Sequence, residues 1–216
     1  MTTLTLAASA PERVVFDLVE LLRYPVLFGV VLALALALYE LGILATELYR
    51  RRGRIAGGAL LDDLVPRART AIAADDRSQA ANILRPIAKG ADASAALGRI
   101  VEATGTLQAE PRAAKALADF DLRAMRRLER PRMLVRAGPA LGLMGTLIPL
   151  SPALAGLARG DVQRLSDDLR VAFAVTVIGL LTGALAFGVA LVRDRLAAQD
   201  LSDLEYVAAT LAEPAA

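Results

Sequence analysis

The sequence predicts an all-α membrane protein: three transmembrane helices with long helical extensions on the cytoplasmic side. Three observations lead there. Three stretches are apolar over the roughly 20 residues that a hydrocarbon core about 30 Å thick requires at 1.5 Å per residue. Arginines gather at one end of each stretch. The 216 residues are 56% hydrophobic, with a mean hydropathy of +0.48, whereas a soluble domain is usually about 45–50% apolar.

Composition excludes several classes of chemistry. The chain has no Cys and no His, which removes thiol nucleophiles, disulfides, Cys/His zinc sites and His-based triads or proton relays. Its net charge of +2 is too small an excess to argue for a nucleic-acid partner. So apolar a chain cannot remain disordered. No cofactor is expected: the sequence has neither a Gly-rich loop followed by Lys-Ser/Thr nor a Gly-x-Gly-x-x-Gly after a strand. Asp62-Asp63 and Asp75-Asp76 read as solvated helix termini or first-turn dipole partners far more readily than as a catalytic or metal pair.

Residues 1–23 form an outer N-terminal segment in which Arg13 and Arg23 face Glu12, Asp17 and Glu20. The first span, 24–46, has Glu40 as its only charge. Its apolar run is too long for a cleaved signal peptide, and arginines rather than a small-residue cleavage site follow it. Glu40 lies about 10 Å inside the cytoplasmic boundary, counting 1.5 Å per residue back from Glu47. Two readings stand for it: a side chain reaching to the interface or to Arg50 or Arg136, or a place on an ion path.

Orientation follows the arginines. Arg50, Arg51, Arg52 and Arg54 follow span one; Arg126, Arg127, Arg130, Arg132 and Arg136 precede span two; Arg193 and Arg195 follow span three. The positive-inside rule then places the N-terminus outside, 47–136 in the cytoplasm, a short loop at 159–170 outside and the C-terminus inside. Within 47–136, apolar residues recur at helical spacing at Leu60-Leu61, Leu64, Ala68, Ala71-Ile72 and again at Ala80, Ile83-Leu84, Ile87. Pro66 and Pro86 are expected to interrupt these patterns, and Gly90 and Gly105 to stop them. From Pro111, a first-turn proline, a stripe runs through Leu117, Phe120 and Leu128 toward span two, and Pro131 is expected to kink this helix or begin a new one. The tail, 193–216, carries Leu196, Leu201, Leu204, Val207 and Leu211 as a helical continuation of span three.

Spans two (137–158) and three (171–192) contain no charged residue. Gly138, Gly142 and Gly145 fall on one helix face, with Thr146 on the same side. Ala172, Thr176, Gly179 and Gly183 form a second small and polar stripe, with Thr182 alongside. Small residues at these intervals let helix backbones approach closely, and tight packing is the ordinary explanation. Paired stripes, each with a hydroxyl and neither with an acid, can also form a groove that solvates a charge brought by another chain. A carboxylate inside a span is expensive and usually functional, so a proton-carrying acid would come from a partner.

Gly138-Pro139-x-x-Gly142-Leu143-x-Gly145-Thr146 resembles the second-span signature of the MotA/TolQ/ExbB proton channel family. Ala172-Phe173-x-x-Thr176-x-x-Gly179-Leu180 resembles its third-span signature. The three-span topology is closest to the TolQ/ExbB type. By motif the resemblance covers Leu128 to Val192; over span one it is one of topology. It implies an ion-conducting, stator-type subunit of a motor driven by the proton motive force, in the inner membrane of a bacterium or the membrane of an archaeon. It implies a homo-oligomer, a pentamer, around a dimer of a single-span ExbD/TolR/MotB-like protein whose Asp binds the ion. Thr146 and Thr176 match the family's pore threonines, which face that Asp; Pro139, Gly142 and Gly145 match its tight-packing positions. The chain departs from the pattern at Ile148-Pro149 and Pro152, so span two is expected to bend or end early on its outer side. It departs also at Val171, where ExbB-type members carry an acid. A non-conducting scaffold that recruits partners through its cytoplasmic helices is the alternative. A transporter half lacks a visible inverted repeat, and an enzyme lacks a nucleophile or acid–base pair.

Overall fold

The computed structural model describes Val14, residues 18–52 and residues 58–213; Glu12, Arg13, Asp17 and Arg54 lie outside the described residues. Among those described there is no strand. Six helices follow in order: α1 (Arg23–Arg52), α2 (Gly58–Ala73), α3 (Arg77–Leu84), α4 (Ala91–Ala103), α5 (Ala109–Leu157) and α6 (Val162–Ala212). Three helices are long and apolar enough to cross a membrane: the one over Leu18–Arg51, α5 and α6.

Proline breaks the chain less than its sequence suggests. Pro66 lies inside α2, and Pro131, Pro139, Pro149 and Pro152 all lie inside α5. Span two does not end early: α5 runs unbroken to Leu157. Each ring removes one backbone donor and crowds the carbonyl four residues before it, but the remaining ladder on either side carries the helix through. Pro86 and Gly105 do mark ends, the first just after α3 and the second, at φ +79°, just after α4; α2 and α5 end at other residues. Asp75, at φ +60°, closes α2: the Asp75 N–H donates to Ile72 O and that of Asp76 to Ala71 O, the paired bonds of a Schellman cap. Gly160, at φ +82°, closes α5 in the same way, with Gly160 N–H on Leu157 O and Asp161 N–H on Gly156 O. Gly90 starts a helix rather than stopping one; it is the N-cap of α4.

The chain divides into two compact units, residues 1–41 with 131–188, and residues 42–130 with 189–216. In the second unit, α2, α3 and α4 pack with the N-terminal part of α5 and the C-terminal part of α6. Val65, Leu84, Ile100, Phe120, Leu204 and Val207 form its buried core. Burying one such aliphatic side chain contributes about 1.5–3 kcal/mol, and the stripes at 64–72, 80–87 and 196–211 all turn inward to do so. Arg51 adds a buried polar clasp. Its two Nη groups donate to both oxygens of Asp200 at 2.9 and 2.8 Å, and Nη2 also donates to Glu47 at 2.9 Å.

The first unit has the opposite plan, with small residues inside and bulky ones outside. Val26, Val30, Ala33 and Ala37 of α1 are buried, as are Gly142 and Gly145 of α5 and Ala172 and Ala186 of α6. Phe28, Leu143, Leu147, Phe173, Leu180 and Phe187 are exposed. In lipid there is no hydrophobic drive between helices, and close packing of small residues holds them together instead.

Candidate functional site

The candidate site lies in the first unit, where α5 and α6 run against each other along their glycines. A Cβ placed on Gly138 would stand 2.7 Å from Gly179 O and 2.9 Å from Gly183 N; one on Gly142 would stand 3.3 Å from Thr176 O. On the other helix, a Cβ on Gly183 would stand 2.9 Å from the Pro139 ring. Gly145 faces the Val175 side chain, which would collide with any Cβ there. A Cβ would press on backbone at Gly138 and Gly142, on the Pro139 ring at Gly183 and on the Val175 side chain at Gly145, so the two stripes are occupied by contact with each other.

The hydroxyls differ in what they offer. Thr146 is half-buried, and its Oγ1 donates to its own helix at Leu143 O, 2.7 Å away. Thr176 is half-buried at the seam itself, where Oγ1 shares its hydrogen between Ala172 O at 3.3 Å and Gly142 O at 3.4 Å. Both bonds are long, and a hydroxyl keeps acceptor lone pairs besides its one donor. Thr182 is wholly buried, packs toward Gly138, and donates to Ile178 O at 2.8 Å. Its oxygen is therefore committed within the subunit.

Glu40 is 6% exposed. It lies one turn beyond Ala37 on the face of α1 that packs with Leu134 of α5 and Ala186 of α6. That burial removes it from the surface of the unit and from any role as a freely solvated anchor.

Sequence reasoning missed one pair. Arg23 Nη2 of α1 donates to Asp168 Oδ1 of α6 at 3.2 Å. Asp168 is 9% exposed, and its Oδ2 is buried with no hydrogen-bond partner. In the sequence both residues sit in charge-balanced flanks and look solvated. The available signal was register: Asp168, Ala172 and Thr176 follow at intervals of four, on one face of α6. Beside Arg23 is a small recess of about 10 Å³, near the size that holds a single water, bounded by Val26, Leu27, Gly145, Ile148, Pro149 and Val171. Among the described residues no group of three or more His, Cys, Asp or Glu is placed to hold a metal ion.

The sequence model of the MotA/TolQ/ExbB proton channel family matches residues 81–205, more than half of the chain. The match takes in α4, α5 and most of α6. No curated protein matches the chain.

Proposed function

Because the chain belongs to the MotA/TolQ/ExbB proton channel family, a family of channel-type membrane subunits, we propose that it is the ion-conducting subunit of a membrane motor driven by the proton motive force. The chain is a multi-pass membrane protein. In the proposed assembly, copies of it form a ring, a pentamer, around a single-span ExbD/TolR/MotB-like partner that supplies the ion-binding Asp. The N-terminus lies outside, residues 47–136 and the C-terminus lie in the cytoplasm, and the turn at 159–170 faces outward.

The observation that carries the reading is the Thr176 hydroxyl. It stands half-buried at the α5–α6 seam, weakly held, between two apolar lengths of helix that contain no ionisable side chain. A site of this kind can give hydrogen bonds to a carboxylate in either protonation state, because a hydroxyl both donates and accepts. It cannot hold the ion alone, which is why the acid belongs to the partner. Thr146, one turn beyond Gly142 on α5, supplies the second hydroxyl of that berth.

The test is to co-purify the tagged chain with its membrane partner, determine the symmetry of the complex, and measure ion-coupled work for Thr146→Ala and Thr176→Ala. A symmetric oligomer enclosing a single-span protein, with activity lost in both variants and assembly intact, is the expected result. Full activity in both variants overturns the reading.

A further inference from the structure

The geometry points to Asp168 as a proton-binding site at the outer end of the ion path, held in readiness by Arg23. The inference rests on the ion-conducting reading above and adds to it a protonatable group that this chain itself supplies.

Three independent features meet there. The side chain is only 12% exposed, and only one of its oxygens has a donor: Oδ1 accepts from Arg23 at 3.2 Å, and Oδ2 is buried with none. A buried carboxylate oxygen without a donor is unfavourable, and a bound proton or a hydronium-bearing water relieves it. The second feature is the recess beside Arg23. It is bounded by Gly145, Ile148 and Pro149 of α5, and Pro149 and Pro152 lie within that helix. A proline takes away the donor owed to the carbonyl four residues earlier, so the carbonyls of Gly145 and Ile148 lack their helix donors and can accept from water. The third is register, which aligns Asp168 with Ala172 and Thr176 along α6. Eight residues at 1.5 Å place Asp168 about 12 Å outward of Thr176, a gap for water or for the partner's carboxyl to bridge.

The charged surroundings are few. From α1, Arg23 faces the carboxyl, and Glu20 lies exposed one turn earlier. From α6, Arg164 lies one turn before it and is exposed, as are Asp167 and Arg170. From α5 there is no titratable side chain between Arg136 and Arg159. Arg23 is thus the one cation in direct contact. With the carboxylate ionised the pair is closed. A hydronium entering from outside transfers a proton to the carboxyl group as the pair with Arg23 opens, leaving water and a neutral carboxylic acid. Arg23 remains a guanidinium and loses its anionic partner. When the proton passes inward to water or to the partner's carboxylate, the Asp168 carboxylate and its pairing with Arg23 return.

Two measurements test this. The first uses the chain alone in lipid nanodiscs and follows a pH jump by infrared difference spectroscopy. A protonated-carboxyl band that is lost in Asp168→Asn, kept in Asp168→Glu and altered in frequency in Arg23→Gln supports the site; a spectrum unchanged in Asp168→Asn overturns it. The second measures proton flux in vesicles holding the chain with its single-span partner, with Thr176→Ala alongside. Flux lost in Asp168→Asn and restored in Asp168→Glu supports the site. Flux lost in Thr176→Ala but unchanged in Asp168→Asn overturns this inference and leaves the ion-conducting reading standing. Flux unchanged in both overturns both.

Discussion

Gly142 and Gly179 meet backbone to backbone. A Cβ on Gly179 would stand 2.7 Å from the Gly142 Cα, and one on Gly142 would stand 3.3 Å from the Gly179 Cα. The nearest atoms are main chain on both sides, so no side-chain rotation can relieve the clash. Gly179→Ala is therefore expected to force α5 and α6 apart and to lower stability by about 1–3 kcal/mol, the usual cost of overpacking. Gly188, with nothing within 4 Å of its would-be Cβ, is the matched control, and Gly188→Ala is expected to leave the thermal midpoint in detergent where it was or raise it. Equal midpoints for the two variants would contradict the contact.

On the proposed ion-conducting reading, Thr176 and Thr182 differ in what they offer an ion. Thr182 gives its hydroxyl wholly to Ile178 O inside the subunit, whereas Thr176 is weakly bonded at the seam. Thr176→Ser, which keeps the hydroxyl, is expected to retain ion-coupled activity, and Thr176→Val, which keeps the shape, to lose it. Thr182→Val is expected to retain activity. Loss of activity in Thr182→Val at normal expression would place that residue, too, on the path.

Arg51 and Asp200 form a buried, doubly hydrogen-bonded pair, with side chains 14% and 6% exposed. Removing Asp200 leaves Arg51 paired with Glu47 alone, and Asp200→Ala is expected to cost about 1–3 kcal/mol. The double variant Arg51→Met with Asp200→Leu is expected to recover most of that loss, because burying two apolar groups avoids the unpaired charge. Thermal unfolding of the four proteins in detergent measures the coupling; additive losses would refute it.

Asp76 gives the α3 cap a pH dependence. It caps the helix by accepting the Gln79 N–H at 2.9 Å and the Ser78 hydroxyl at 2.8 Å, and the first of these bonds holds its carboxyl below the usual carboxylate value. With the folded value depressed, the stabilisation is complete above the unfolded value and is lost as pH falls through the folded one. Amide exchange at Gln79 is expected to speed up relative to the intrinsic rate across that acid range. Asp76→Asn still caps but does not titrate, so its protection is expected to be flat with pH.

The spans and the glycine contacts were legible in the sequence because both rest on local rules. Twenty apolar residues read the same way wherever the helix packs, and small residues at intervals of three and four can only be a close-contact face. Pro66 and the early end expected from Pro149 and Pro152 misled, since a proline predicts a lost hydrogen bond, and whether the helix breaks depends on what holds its two sides. Asp75-Asp76 was legible as a helix terminus, and Asp is among the residues that tolerate positive φ, but the sequence did not say that Asp75 itself would adopt it. Arg23 and Asp168 were hidden for another reason: they are 145 residues apart, and only the packing of α1 on α6 makes them partners.

The turn joining α5 to α6 has mechanical consequences. Gly160 closes one helix, and Asp161 opens the next by accepting the Arg164 N–H at 3.0 Å. Two fastenings back to back make a stiff elbow, and below it the interlocked glycines bar sliding. The hairpin between Pro131 and Gly188 therefore behaves as a single bar. On the proposed ion-conducting reading, a displacement at Thr176 would be shared by both arms, and the give would lie in what surrounds them.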